Sequence, residues 1–455
     1  MQSDSNKYIG CNMIQRTALQ KLKTWAEAQD HKPLVLRGAR QVGKTTLINQ
    51  FATEFDNYLY LNLDRKRDLE LFSEDDISSL IDRIHIHCRK RKIDGKTLLF
   101  IDELQNSPDA VRQLRYFKEE APELYVVAAG SLLETLIDTH VSFPVGRVEY
   151  MALRPCSFVE FLNGIGEAYD ADVVRALQCD AIHKRMMNHF MNYSVVGGMP
   201  EAITKFSERR DVLAVNTIYN SFGNAYSDDV QKYARNNTMA AVIRHVIKEG
   251  WTYAAEPISF NNFAESNYRT REMGEALRTL ERALLVELAY PVSSEQLPLM
   301  PNYRRKPKLL WFDTGLVNYY AGVRNEIFDT SDIMSVWKGR VAEHIVAQEL
   351  IAENFEFGCQ RHYWLRDKLD ASAEVDFVYQ YGNLVIPIEV KSGTNSKLRS
   401  LHQFMDKAPH DIAVRVWSGR YSVDRAVTPS GKTFRLVNLP FYYVGQINSV
   451  LNKLI

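Results

Sequence analysis

Short apolar runs alternate with helix-period stretches through the first third of the chain. Residues 33–36, 58–63, 97–101 and 124–129 are almost wholly apolar, as strands buried on both faces are. The intervening stretches read as crossover helices, so the pattern predicts a parallel α/β sheet. From Cys156 to about Phe206 the pattern turns helical, with a break at Gly197-Gly198-Met199-Pro200.

The pattern changes at about Asp211. Residues 216–233 and 238–249 read as helices, 260–266 as a short helix, and 270–285 as a longer one with Met273, Leu277, Leu280 and Leu284 on one face. Residues 286–290, a polar and Pro-rich excursion, and a return strand at 308–312 follow. Tandem helices and then a β-hairpin is the order of a winged helix-turn-helix. The last stretch reads as a second α/β unit. It has a helix at 339–354, strands at 363–365, 373–379 and 384–389 with a turn at 380–383, a helix at 397–406 and a strand at 413–417. Three units result: 1–210, 211–330 and 331–455.

Composition adds few constraints. The chain has 455 residues, 45% hydrophobic and 25% charged, which suits about three globular domains and excludes a fibrous or wholly disordered design. Fifty-six basic residues balance 56 acidic ones, so any nucleic-acid surface must be local. The five cysteines form no C-x-x-C pair, which argues against a disulfide framework or thiolate zinc site. No apolar run approaches the ~20 residues a membrane helix needs, and the first residues carry no apolar signal core. The expectation is a cytoplasmic protein with no membrane partner.

Gly38-Ala39-Arg40-Gln41-Val42-Gly43-Lys44-Thr45 fits G-x-x-x-x-G-K-[ST], with a strand before it and a helix opening at Thr45-Thr46 after it. Its glycines let backbone N–H groups turn toward phosphate oxygens, and the helix N-terminus adds positive potential. Lys44 can reach the outer phosphates, and Thr45 can offer its hydroxyl to Mg²⁺. A strand ending in Asp102-Glu103 supplies a carboxylate for the Mg²⁺ shell and another to orient water. Ser131 ends a further core strand, where its hydroxyl either touches water or terminal phosphate or caps the next helix. Arg147, after a Pro-Val-Gly turn, is either a phosphate finger or half of a surface salt bridge. No Asn-Lys-x-Asp guanine-reading motif occurs, so ATP is preferred to GTP.

RGARQVGKTTL, LLFIDELQ, AAGSLLE and FPVGRVEYMALRPCSFVEFL resemble the AAA+-related prokaryotic ATPases, close to the archaeal-ATPase-like and STAND groups. In those families a GG-x-P-E stretch follows, here Gly197 to Glu201. The whole chain looks like the bacterial ATPases that end in a domain of unknown function. That resemblance implies ATP binding and hydrolysis, with Lys44, Thr45, Asp102 and Glu103 matching the motif positions.

Near the C-terminus, Glu374-Val375-Asp376 lies on one strand and Glu389-Val390-Lys391 on the next. Side chains alternate faces, so Glu389 and Lys391 point the same way and Asp376 can meet Glu389 across the hairpin. Facing carboxylates repel unless a cation separates them, and oxygen ligands suit Mg²⁺ or Mn²⁺. Lys391 could then position or deprotonate water for phosphodiester attack. The set resembles the PD-(D/E)XK nuclease core, a restriction-endonuclease-like α/β fold, with Glu343 where its helical acid is expected. Pro387 within the strand suggests an edge or bulge. A hairpin with alternating charges is the plainer alternative. Arg304, Arg305, Lys306 and Lys308 on the wing, with Tyr268, Arg269 and Arg271 at the helix start, could contact nucleic acid. The same segment could instead bind protein or cover the ATPase.

The expectation is an Mg²⁺-dependent ATPase coupled to a nucleic-acid-binding, nuclease-like domain, in DNA maintenance or defence. Its partners would be ATP and DNA or RNA, with room for a homo-oligomer. A STAND-type switch and a DNA-binding regulator whose last domain does not cut are the alternatives.

Overall fold

A computed structural model describes residues 14–73, 76–131, 146–322, 340–366, 373–391 and 398–455. Its first sheet comprises β1 (Leu34–Arg37), β2 (Asn57–Asn62), β3 (Thr97–Asp102), β4 (Tyr125–Gly130) and β5 (Glu149–Ala152). The order is β2-β3-β4-β1-β5, and every pairing is parallel. Neighbouring positions feed opposite faces: Leu36, Phe100 and Ala129 enter one core, and Val35, Ile101 and Ala128 the other. The continuous apolar runs follow from that double burial. β5 escapes a reading by hydrophobicity because it is an edge strand whose first two residues, Glu149 and Tyr150, are exposed.

Parallel pairing places every C-terminal strand end on one edge, and β4 lies between β1 and β3. The loops after these three strands therefore converge.

The middle stretch holds the Asn216–Tyr233, Asn237–Glu249 and Thr270–Arg282 helices. Residues 260–266 do not form the expected helix. Positive φ at Asn262, Ala264 and Glu265 leaves only a single 3₁₀ turn, Phe263–Glu265. β6 (Val286–Ala289) pairs antiparallel with β8 (Lys308–Trp311). Ala254 and Pro257 bridge to Leu309 and Lys308. Between the paired strands, β7 (Pro291–Val292) leaves the hairpin and joins the edge of the last sheet.

That sheet adds β9 (His362–Leu365), β10 (Glu374–Tyr381), β11 (Leu384–Lys391), β12 (Ile412–Trp417), β13 (Ser422–Val427) and β14 (Thr433–Pro440). The order is β13-β14-β12-β11-β10-β9-β7. β10 and β11 form an antiparallel hairpin, while β11–β12 and β12–β14 are parallel. Pro387 is not on an edge, because β11 is flanked on both sides. It is tolerated because pairing to β12 begins only at Ile388, so its missing N–H interrupts no ladder there. The sheet's register shift lies instead on the β9 side of β10, between Val375 and Val378.

The three stretches share an interior, since one apolar cluster runs from Ile14 to Leu451. Gly197 and Gly198 sit at one junction. A Cβ on Gly197 would lie 2.5 Å from Asp313 Oδ1, and one on Gly198 2.5 Å from the Cys156 carbonyl. Gly198 N–H donates to buried Asp313 at 2.6 Å, which also caps the Thr314–Tyr320 helix through Leu316 N–H. Among the described residues no helix is long and apolar enough to cross a membrane.

Candidate functional sites

The loop from Gly38 to Gly43 leaves β1 and enters the Lys44–Phe51 helix. Gln41 (φ 68°) and Gly43 (φ 94°) take left-handed conformations that turn the chain back on itself. Gly38 lies against β5: a Cβ there would sit 2.5 Å from the Leu153 carbonyl. Arg16 braces the loop from behind, donating to the Val42 carbonyl at 2.9 Å and pairing with Glu160 at 3.0 Å. In front, exposed Arg40 pairs with Asp229 of the Asn216–Tyr233 helix, and Tyr226 Oη donates to the Arg40 carbonyl at 3.2 Å. Neither Arg16 nor Asp229 is visible in the motif. Each reaches the loop from distant sequence.

Lys44 Nζ donates to the carbonyls of Gly38 (2.9 Å) and Ala39 (3.0 Å). Burial lowers its pKa to about 8, against the pull of Glu103 and Asp102. A desolvated ammonium whose hydrogen bonds go to neutral carbonyls gains from an anion. Thr45 Oγ1 donates to Asp102 Oδ2 at 2.8 Å, and burial raises the Asp102 carboxyl. Asp102 is thus short of positive charge beside the hydroxyl expected to bind Mg²⁺. These features fit a Mg²⁺–nucleotide held by the loop backbone, Lys44 and Thr45, with Thr46 exposed in the first helical turn. Glu103 adopts φ 56° and is held by Gln105 Nε2. Half-buried Ser131 follows the end of β4, between the Asp102 and phosphate-loop strands. The helix it was expected to cap lies outside the described residues.

Arg147 does not join this group within one chain. It precedes β5, whose Glu149 is in register with Leu34 at the start of β1. That is the opposite edge of the sheet from the phosphate loop. There it is half-exposed and pairs with Glu119 at 2.9 Å, the surface salt bridge of the plainer reading.

The second cluster lies on the last sheet. The register, Phe377 opposite Ile388, carries Asp376 up beside Glu389, and Asp376 Oδ2 accepts from Val390 N–H at 2.7 Å. Lys391 Nζ meets Glu389 Oε1 at 2.6 Å, so these two do share a face. Glu343 enters from the first turn of the Arg340–Ala352 helix. Burial, then mutual repulsion with Asp376, pushes Glu343 and Glu389 each up to about 7, and burial raises Asp376. Burial opposes charge on Lys391, but the carboxylates of Glu389, Asp376 and Glu343 together outweigh it and the net shift is upward.

Two residues here were not anticipated. Lys308, expected on an exposed wing, is only 2% exposed and pairs with Glu374 at 2.6 Å and Glu343 at 3.2 Å. Glu374 was legible, since it lies two positions before Asp376 on the same strand face. Among the described residues, Glu343, Asp376 and Glu389 do not bring three ligand atoms within 4.8 Å of one another. The metal set expected of Glu343, Asp376 and Glu389 is thus not drawn into one tight three-ligand cluster here, and lysines pair with Glu343 and Glu389. Among the described residues Glu389 Oε2 is buried with no hydrogen-bond partner, which leaves one ligand atom suited to a cation beside Asp376.

The basic residues divide. Arg269, Arg271, Arg304, Arg305 and Lys306 are exposed, and Tyr268 is half-buried against His245. Lys308 is removed from that surface.

Residues 30–162 match the family model described as an AAA domain. Residues 187–327 and 338–442 match two families described only as domains of unknown function. Among solved structures, the chain is similar to the Walker-type ATPase PABY2304 of Pyrococcus abyssi, with 12% identity, TM-score 0.42, and coverage of 68% of this chain and 96% of that one. It is also similar to the Thermotoga maritima RuvB Holliday junction branch migration motor, with 15% identity, TM-score 0.28, and 64% and 93% coverage. The Aeropyrum pernix ORC1 protein in complex with DNA matches at 12% identity and TM-score 0.27, with 71% and 96% coverage. No curated protein matches. Residues 30–162 are an AAA-type P-loop ATPase domain, which supports ATP binding.

Proposed function

We propose that the chain is an Mg²⁺-dependent ATPase whose nucleotide site is coupled, through a winged-helix segment, to a nuclease-like C-terminal domain acting on DNA or RNA. The observation that carries the first half is the convergence of Lys44, Thr45, Asp102, Glu103 and Ser131 at the carboxyl edge of one parallel sheet. The loop N–H groups and Lys44 bind the phosphates and hold their charge in a desolvated site. Thr45 and Asp102 would hold Mg²⁺, which supplies charge neutralisation at the phosphates. Glu103 orients the attacking water, and Ser131 donates to that water or to the terminal phosphate.

The middle stretch supports a winged-helix reading by its order. A helix, a short bridge to β8, a turn, the Thr270–Arg282 helix and the β6–β8 hairpin follow one another. Exposed Arg269, Arg271, Arg304, Arg305 and Lys306 offer phosphate contacts without base specificity. In the last domain, Asp376 and Glu389 would hold Mg²⁺ or Mn²⁺, and Lys391 positions the water. Polar contacts link the sites. Arg40 reads the Asn216–Tyr233 helix through Asp229. Buried Thr314, His344 and Gln348 join the segment after β8 to the helix that carries Glu343.

A second reading, an ATP-held switch with a non-cleaving last domain, is favoured by one observation: Lys308 and Lys391 already pair with Glu343, Glu374 and Glu389.

The test incubates the full chain with supercoiled, linear and single-stranded DNA and with RNA, in Mg²⁺ or Mn²⁺, with and without ATP. Cutting lost in Lys391→Ala, and gated by ATP only when Lys44 is intact, is the expected result. Intact ATP hydrolysis with no cutting of any substrate selects the switch.

A further inference from the structure

Lys308 opens β8 and is fixed at its base from both sides. Ala289 pairs with it across the hairpin, and Pro257 bridges to it. Tyr363 Oη donates to the Lys306 carbonyl at 2.6 Å, anchoring the backbone just ahead of it. The ammonium then passes the rings of Tyr363 (5.0 Å) and Phe377 (5.9 Å) and ends between Glu374 and Glu343. Such a side chain is a built part of the C-terminal site, although it comes from the preceding segment.

The charges around it divide into two halves. On one side Glu343 and Glu374 are committed to Lys308. On the other, Lys391 pairs with Oε1 of Glu389, and Oε2 of that 5%-exposed residue is buried without a hydrogen-bond partner among the described residues. Asp376 lies between the halves. Among the described residues, four carboxylates against two ammonium groups carry a formal charge of −2 when all are ionised, which one divalent cation would neutralise. A second divalent ion would have to sit beside an ammonium, on carboxylates already in use.

We propose that Lys308 is a built-in cation that takes the place of a second divalent ion, so that the C-terminal site binds a single one, on Asp376 and Glu389. This deepens the nuclease-like reading and rests on it. The middle segment thereby fixes the metal count of the domain that follows it.

The test counts Mn²⁺ per nucleotide-free full-length chain by electron paramagnetic resonance and calorimetry. An Asp102→Asn background removes the carboxylate expected to hold Mg²⁺ at the nucleotide site. One ion is expected with Lys308 present and with Lys308→Arg, and two, with a magnetically coupled pair signal, in Lys308→Gln. Glu389→Gln should abolish the single ion. Lys308→Gln leaves two acids unpaired, so Lys308→Met, which keeps the apolar stem beside Tyr363 and Phe377, is measured alongside. Either of these showing two ions on a cooperatively melting chain supports the proposal. Two ions with Lys308 intact, or one in every Lys308 variant, overturns it and leaves the metal site standing. No ion in any variant removes the metal reading itself.

Discussion

The two sites solve one problem, holding concentrated negative charge, by opposite means. The phosphate loop uses backbone. Its donors would be N–H groups along a single turn, its geometry depends on Gly38 and Gly43, and one contiguous octapeptide encodes it. The C-terminal cluster uses side chains. Its acids come from a helix and two strands, and one of its two cations comes from a hairpin in another segment. A backbone site tolerates variation around it, because its donors survive most substitutions. A side-chain site depends on each member, since removing one buried charge strands another at a cost of about 3–5 kcal/mol.

The sharpest way to break this comparison is at Glu103. If the nucleotide site is backbone-built, Glu103→Gln should leave ATP affinity within a few-fold while hydrolysis falls by about 10²-fold or more, the usual share of a base that handles water. Equilibrium binding of a fluorescent nucleotide and phosphate release measure the two separately. A parallel loss of affinity would mean that this carboxylate holds the site together and that the contrast is false.

How much was legible follows the same division. The parallel sheet, the loop, Asp102 and Glu103 could be read because residues adjacent in sequence act together. The hairpin acids could be read because strand alternation fixes which face each takes. Lys308 could not, since in sequence it closes the basic run beginning at Arg304 and resembles a solvated cation. Only the β6–β8 pairing, set by contacts across an 18-residue excursion (290–307), turns it inward. The place of Arg147 within one chain was illegible for a related reason: a motif does not say at which end of a parallel strand a residue will lie.

A second test concerns what joins the regions. Glu349, on the helix that carries Glu343, accepts from Phe158 N–H (2.9 Å) and Tyr193 Oη (2.7 Å). Burial raises its pKa to about 8. A carboxyl raised above its unfolded value of about 4.3 binds its proton more tightly when folded. Its stabilisation is therefore complete below that value and is lost as pH rises toward 8. Glu349→Gln keeps the shape and removes the titration. Thermal unfolding from pH 5 to 8.5 should show the parent falling relative to this variant by a few kcal/mol at most. Parallel curves would show that Glu349 is ionised in the fold.

The smallest expected effect returns to the phosphate loop and separates its one side chain from its backbone. With Lys44 lowered to about 8 before nucleotide arrives, phosphates should draw it back to full charge. Binding must then take up a fraction of a proton near pH 8, and affinity should weaken as pH rises above that value. Calorimetry of ATP binding in buffers of different ionisation enthalpy reads this uptake directly. Lys44→Arg, charged at every accessible pH, should lose the uptake while the backbone donors remain. If uptake persists in that variant, the titrating group lies elsewhere. If the parent shows none, the two carbonyls of Gly38 and Ala39 already keep the ammonium charged, and the backbone sets the lysine's state before any phosphate is bound.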